Sequence, residues 1–188
     1  HVLFPPKSEA TAWQNAGLML RQGVQFHWEN AAYADFDAML AAMAHDKRKR
    51  IKQDRRYVAE AGVTWRVARG AEISETDWAF FYRCYDTTYR AHMSTPYLSL
   101  DFFQQLGANC ADAAVLFVGE RDGQALCTSL CVASGDTVYG RYWGTLAPLK
   151  SLHFEACYYQ PISWCIANGF MHFEGGAQGA HKLARGLL

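Results

Sequence analysis

Residues 113–144 constrain the fold more than any other stretch of the chain. Three runs of strand-forming residues, 113–120, 124–133 and 137–144, are separated only by Arg121-Asp122-Gly123 and Ser134-Gly135-Asp136. Asp-Gly supplies the left-handed backbone that a tight hairpin needs. The spacing therefore predicts an antiparallel meander and excludes an all-helical fold. Downstream, Phe154, Tyr158, Ile162 and Cys165 or Ile166 recur at helical spacing, so 153–168 is expected to be a helix with one apolar stripe. Asn168-Gly169 ends it, and Phe170–Glu174 reads as a further strand. Upstream, helices are expected over Ser8–Gln22 and Ala34–Ala61. Another runs from Ser74, with Asp77 as its capping partner, to Ala91, and a short one from Ser99 to Leu106. Val24–Trp28 and Val63–Ala68 read as strands. Antiparallel strands flanked by helices define an α+β class, with the 153–168 helix packed across the sheet.

Composition narrows the function classes. The chain has 188 residues, 51% of them hydrophobic and 19% charged, which fits a packed domain. A net charge of zero leaves no global polycation to draw it to nucleic acid, so any such binding must be local. No apolar run approaches the roughly 20 residues of a membrane span, and no signal peptide is visible. The chain starts at His1 and stops at Leu188, two residues past the Gly186 turn, so both ends read as cuts. Residues 1–30 are then expected to be the tail of a preceding unit and 31–188 a second unit. The six cysteines contain no C-x-x-C pair and sit mostly among apolar neighbours. They are expected to be buried free thiols in a reducing, cytoplasmic setting.

Several groups are candidates for chemistry. The segment after Glu174 holds Gly175, Gly176, Gly179 and Gly186 beside His181, Lys182 and Arg185. A flexible backbone with free N–H groups and two cations suits phosphate or carboxylate. Glu155, with His153, stands in the first turn of the 153–168 helix, where it can accept a proton from an amine or simply favour the helix dipole. The run from Lys47 to Arg56 is strongly basic. Its cations either pair with Asp46, Asp54 and Glu60 on a solvated helix, or offer Arg48, Lys49 and Lys52 to the phosphates of transfer RNA or a nucleotide carrier. Tyr85 and Tyr89 lie on an aromatic stripe that reads as core, with a cleft position as the alternative. Strict alternation puts Arg141 and Trp143 on one face of their strand and Tyr142 on the other. His153, His172 and His181 lack metal-ligand spacing, and no P-loop, dinucleotide or Ser-elbow motif is present.

The ordered pair LHFEACYYQ and FEGGAQGAHKLARG resembles a bacterial family of N-acyltransferases related to the Fem-type aminoacyl transferases of peptidoglycan synthesis, within the GNAT-like fold. That family's pattern reads LHFE-x-CYYQ, a helix, then FE-x-GAQGEHK-x-x-RGF. The chain keeps His153, Glu155, Tyr158, Tyr159, Gln160, Glu174, Gly176, Gln178, Gly179, His181, Lys182 and Arg185. It departs at Ala180, at Leu187 and in carrying Pro161 early in the helix. The resemblance implies a GNAT-like, mainly antiparallel mixed sheet and the transfer of an acyl or aminoacyl group to an amine. It implies catalytic roles for Lys182, Glu155 and His181. Substrate contacts would come from His153, Tyr158, Tyr159, Arg141, Trp143, Gln178, Gly179 and Arg185. The donor would be acyl-coenzyme A or aminoacyl-tRNA, the acceptor a peptidoglycan precursor or another small amine, and no cofactor would be held tightly. Before His153 the sequence is LAPLKSL, without the glycine-rich loop that usually holds coenzyme A. Two rivals remain: a non-catalytic module that recognises peptidoglycan precursors, favoured by Ala180 and Leu187, and a nucleic-acid-binding protein using the basic helix.

Overall fold

The computed structural model describes residues 2, 5–21 and 26–176. Helix α1 (Lys7–Asn15) ends well before the expected Gln22, because Gly17 adopts φ 87° and the N–H groups of Ala16, Gly17 and Leu18 fold back on its last carbonyls. The short strand β1 (His27–Glu29) follows. The expected single helix 34–61 is two. Asp35 caps α2 (Phe36–Ala42) by accepting from the Ala38 N–H at 2.7 Å; Met43 is extended, and α3 (His45–Glu60) starts afresh. The break lets Phe36, Met39 and Leu40 reach the core, while Arg48 donates to the Ala41 carbonyl that the break leaves free. Strand β2 (Thr64–Arg69) leads to α4 (Glu75–Ala91), which carries the Ser74–Asp77 capping box anticipated from the sequence. Ser99 caps α5 (Leu100–Asn109).

Next comes the meander, β3 (Ala114–Arg121), β4 (Gln124–Ser134) and β5 (Thr137–Thr145), turning at Asp122-Gly123 and Gly135 with positive φ. A helix over 152–167, here α6, crosses to β6 (His172–Glu174). The six-stranded sheet has the order β1-β6-β5-β4-β3-β2, antiparallel throughout except for the parallel β5–β6 pair. This is the mixed, mainly antiparallel α+β architecture expected, with all four downstream strands in one sheet.

Both faces of the sheet are covered. Val115 and Phe117 point into a core shared with α2, α3 and α6, whereas Leu116 and Val118 point into one shared with α4 and α5. Burial on both faces explains why β3 is a continuous apolar run and not an alternating one. Each such side chain contributes roughly 1.5–3 kcal/mol of transfer free energy. All six cysteines are free thiols. Burial pushes Cys84, Cys127 and Cys165 up to about 12, so these three are packing groups and not nucleophiles.

Candidate functional site around helix α6

Helix α6 is not regular. Leu152–Phe154 and Gln160–Ala167 are α-helical, but Glu155–Tyr159 forms a π turn. Pro161 accounts for it. An α ladder would press the proline ring against the Cys157 carbonyl, and the wider turn relieves that clash. Proline has no N–H to return to Ala156, and the Ser129 hydroxyl of β4 donates to that carbonyl instead, at 2.6 Å. The π turn sets Glu155 and Gln160 side by side. Gln160 donates its backbone N–H to the Glu155 carbonyl and its side-chain amide to Glu155 Oε1, at 2.7 Å.

Glu155 is 3% exposed. Its Oε1 also accepts from Arg55 Nε at 3.2 Å, and its Oε2 has no hydrogen-bond partner among the described residues. Burial raises the carboxyl above the ordinary glutamate range, and the Arg55 charge with the two hydrogen bonds only partly opposes it. The Arg55 guanidinium lies 4.5 Å over the Phe36 ring, which packs edge-on against Tyr159. One helical position away, Asp54 is also buried, yet both its oxygens are engaged: Ser151 Oγ donates at 2.7 Å and Tyr159 OH at 2.9 Å. Ser151 sits in the left-handed region, φ 63°, immediately before α6. Its bond to Asp54 holds that strained residue in place.

Glu155 and Gln160 line a cavity of about 390 Å³ with Trp65, Leu40, Asp37 and the cations Lys52, Arg55 and Arg56. A second cavity of about 390 Å³ runs along α3 between His45, Arg48, Lys49, Lys52, Gln53 and Arg56. Lys52 and Arg56 border both. A carboxylate with an unspent oxygen can take a proton from an amine, and a row of cations beside it can hold a phosphorylated carrier.

The full chain, residues 1–188, matches the FemAB-like family, described as peptidoglycan biosynthesis/recognition. The chain belongs to the FemAB-like family. Among solved structures it is similar to FemX, at 9% identity and a TM-score of 0.63 over 85% of this chain and 55% of that one. It is also similar to L-PGS from Bacillus licheniformis, at 12% identity and a TM-score of 0.62 over 91% of this chain and 52% of that one. A C-terminal domain from Agrobacterium fabrum, named for a lysylphosphatidylglycerol synthetase, matches at 11% identity and a TM-score of 0.60, over 89% of this chain and 51% of that one. At such identities the likeness shows a shared fold. The chain spans about half the length of these structures. No curated protein matches it.

The residues singled out from the sequence lie in several places. Glu155 and Tyr159 lie on the α3 side of α6, as described. His153 and Tyr158 join Trp143, whose ring is 4.7 Å from His153, while His153 is 5.7 Å from Tyr158. Gln178, Gly179, His181, Lys182 and Arg185 lie outside the described residues. Arg141 does not share a face with Trp143: the strand carries a bulge at this point, and Arg141 instead lies over the Tyr139 ring. Tyr85 is core, at 1% exposure.

Most cations of the basic run are exposed, as on a solvated helix. Among the described residues Asp54 accepts from Ser151 and Tyr159, Asp46 meets His45, and Glu60 pairs with Arg56 at 3.6 Å. Arg55, Asp54, Ser151, Trp65 and Gln160 were not singled out as site residues. The five-residue Glu155–Gln160 spacing, with Pro161 next to it, was the legible signal for Gln160. Nothing in the sequence marks Arg55 apart from its basic neighbours. Among the described residues no helix is long and apolar enough to cross a membrane, and no group of three metal-ligating side chains occurs.

Proposed function

We propose that this FemAB-like protein transfers an aminoacyl or acyl group from an activated ester to an amine, with Glu155 accepting the proton that the amine gives up. The single observation behind this reading is the buried Glu155 carboxylate, its Oε2 unspent and its proton affinity raised, lining a cavity with a cationic border. The amine nitrogen attacks the carbonyl carbon and a C–N bond forms. The ester C–O bond breaks, the carrier oxygen leaves with the electron pair, and the amine proton passes by way of Glu155 to that oxygen, which departs as a hydroxyl. A base with a raised proton affinity matches neutral operation better than an ordinary carboxylate.

Lys52 and Arg56, with Arg48 and Lys49 along α3, hold the phosphates of the donor or acceptor carrier. Aminoacyl-tRNA is favoured over acyl-coenzyme A, because the usual coenzyme A loop is missing before His153. A peptidoglycan precursor is the acceptor that fits the family's description. From the resemblance, Lys182 with His181 and Arg185 adds the cation for the developing oxyanion or for the donor, and Lys182→Ala then lowers turnover by about 10²-fold.

The test uses the full-length protein, a mixture of aminoacyl-tRNAs and a lysine-containing peptidoglycan precursor, with mass spectrometry reading addition of one aminoacyl mass to the precursor. Transfer by the natural protein and its loss in Glu155→Gln are expected. Transfer undiminished in Glu155→Gln would reject the assignment of the base. A second reading, recognition of the precursor without turnover, is favoured by the Arg55–Glu155 ion pair, which occupies Oε1 before any substrate arrives. Precursor binding with no mass addition under any donor would establish it.

A further inference from the structure

Helix α3 concentrates positive charge in a chain that is neutral as a whole. Its 16 residues carry seven Lys and Arg against three acids, so the helix is +4 and the rest of the chain −4. Ile51, Asp54 and Val58 form its buried face, and Arg55 turns inward to Glu155. With 3.6 residues per turn, Arg48, Lys49, Lys52 and Arg56 fall on the opposite side. His45 and Gln53 lie among them, and these six line the groove along the helix. Lys49 and Lys52 are exposed and, among the described residues, have no carboxylate partner. Arg56 meets the exposed Glu60 at 3.6 Å, and Arg48 gives one N–H to the Ala41 carbonyl. From Arg48 to Arg56 the helix rises about 12 Å. Four cations therefore stand on one short, straight ridge.

No apolar side chain lies on this ridge, because Ile51 and Val58 are spent in the core. It has nothing to insert and no ring to stack, so what it offers is charge, and its complement is a surface of many anions. Shape decides between the two common ones. A long nucleic acid would run past so short a ridge onto the rest of the protein, whose balancing charge of −4 repels it. A flat anionic surface meets the ridge as a tangent plane. The acidic remainder then faces away, and salt screens it beyond a Debye length of about 8 Å.

We propose that the ridge of Arg48, Lys49, Lys52 and Arg56 docks the protein on an anionic lipid bilayer, through headgroup phosphates and with no inserted segment. Lys52 and Arg56 also border the Glu155 cavity, so docking brings that cavity to the lipid surface. Within the reading given above, this assigns the α3 cations to the acceptor's side of the reaction. The docking itself is measured without turnover. Its failure leaves the role of Glu155 untouched, and a failure of Glu155 as the base leaves the docking untouched.

Sedimentation of the full-length protein with vesicles tests the proposal. The vesicles are phosphatidylcholine alone, or phosphatidylcholine in equal parts with phosphatidylglycerol or with phosphatidylserine. Both anionic mixtures are expected to bind about 10-fold or more tightly than phosphatidylcholine, and less so as salt rises to the physiological level. Lys52→Gln should cost about 5-fold, the worth of one cation near such a surface. Replacing Arg48, Lys49, Lys52 and Arg56 together with Gln should bring binding down to the phosphatidylcholine level. Arg83→Gln removes an exposed cation from α4, across the sheet, and should change binding by less than about 2-fold. Equal affinity for charged and neutral vesicles overturns the proposal, as does anionic binding that survives in the fourfold variant. Deacylated transfer RNA is the parallel probe. Its retention through the same four cations, with no preference for anionic vesicles, reassigns the ridge to nucleic acid and also overturns the docking. Thermal melts of the variants separate lost docking from lost fold, because exposed cations contribute little to stability.

Discussion

Asp54 and Glu155 are both buried carboxylates, set against one another across α3 and α6, and they are built for different ends. Asp54 accepts from Ser151 and Tyr159, one on each oxygen, and ties the strained start of α6 to α3. Glu155 receives Arg55 and Gln160 on a single oxygen and leaves the other without a partner among the described residues. A buried acceptor left unmade costs about 1–3 kcal/mol, so such a group is retained for chemistry or ligand binding more readily than for stability. The contrast teaches that burial alone does not mark a functional carboxylate. The distribution of its hydrogen bonds does.

The sharpest way to break the comparison is to remove each charge in turn. Glu155→Gln is expected to lower turnover by about 10²–10⁴-fold, the usual worth of a general base, with stability unchanged or slightly raised. Asp54→Ala should do the reverse. It strands the Ser151 and Tyr159 hydroxyls and should lower unfolding free energy by about 3 kcal/mol in urea titration, with turnover per folded molecule less affected. If Asp54→Ala proved the more damaging to turnover, the roles assigned to the two carboxylates would have to be exchanged.

Pro161→Ala probes the geometry beneath Glu155. With the N–H restored, the π turn can relax to an α ladder and carry Gln160 away from Glu155. A loss of about 10-fold in turnover is expected, with little change in melting temperature. Unchanged kinetics would mean that the Glu155–Gln160 bond is incidental.

The smallest effect is on pH dependence. The folded state holds the Glu155 proton more tightly than the unfolded chain does, because its folded value is raised. That contribution to stability is complete below the ordinary glutamate range and is lost as pH climbs through the raised value. The slope is at most about 1.4 kcal/mol per pH unit. Denaturant unfolding from pH 4 to 8 should show this decline in the natural protein and less of it in Glu155→Gln. Equal slopes would place the raised proton affinity elsewhere.

Much of the fold was legible because it rests on local rules. The Asp122-Gly123 turn, the Ser74–Asp77 cap and the Asn168-Gly169 stop each act within a few residues, and each forms as the sequence dictates. The misreadings have a common cause. Helix 34–61 looked continuous because Met43 and Ala44 carry no breaking signal, and the break serves packing of α2 against α6. Arg141 and Trp143 looked co-facial because alternation assumes an unbroken register, and the bulge is a property of the pair of strands.

The sequence by itself determined the meander, the apolar stripe of α6 and the position of Glu155 in its first turns, since turn chemistry and periodicity are local. The motif pair led to the family. Only the tertiary structure decided what Glu155 is. Arg55 lies 100 residues away and Ser129 on another strand. Whether a carboxylate is paired, stranded or exposed depends on groups the chain brings together through space, and burial, which sets its proton affinity, is a property of the packed whole.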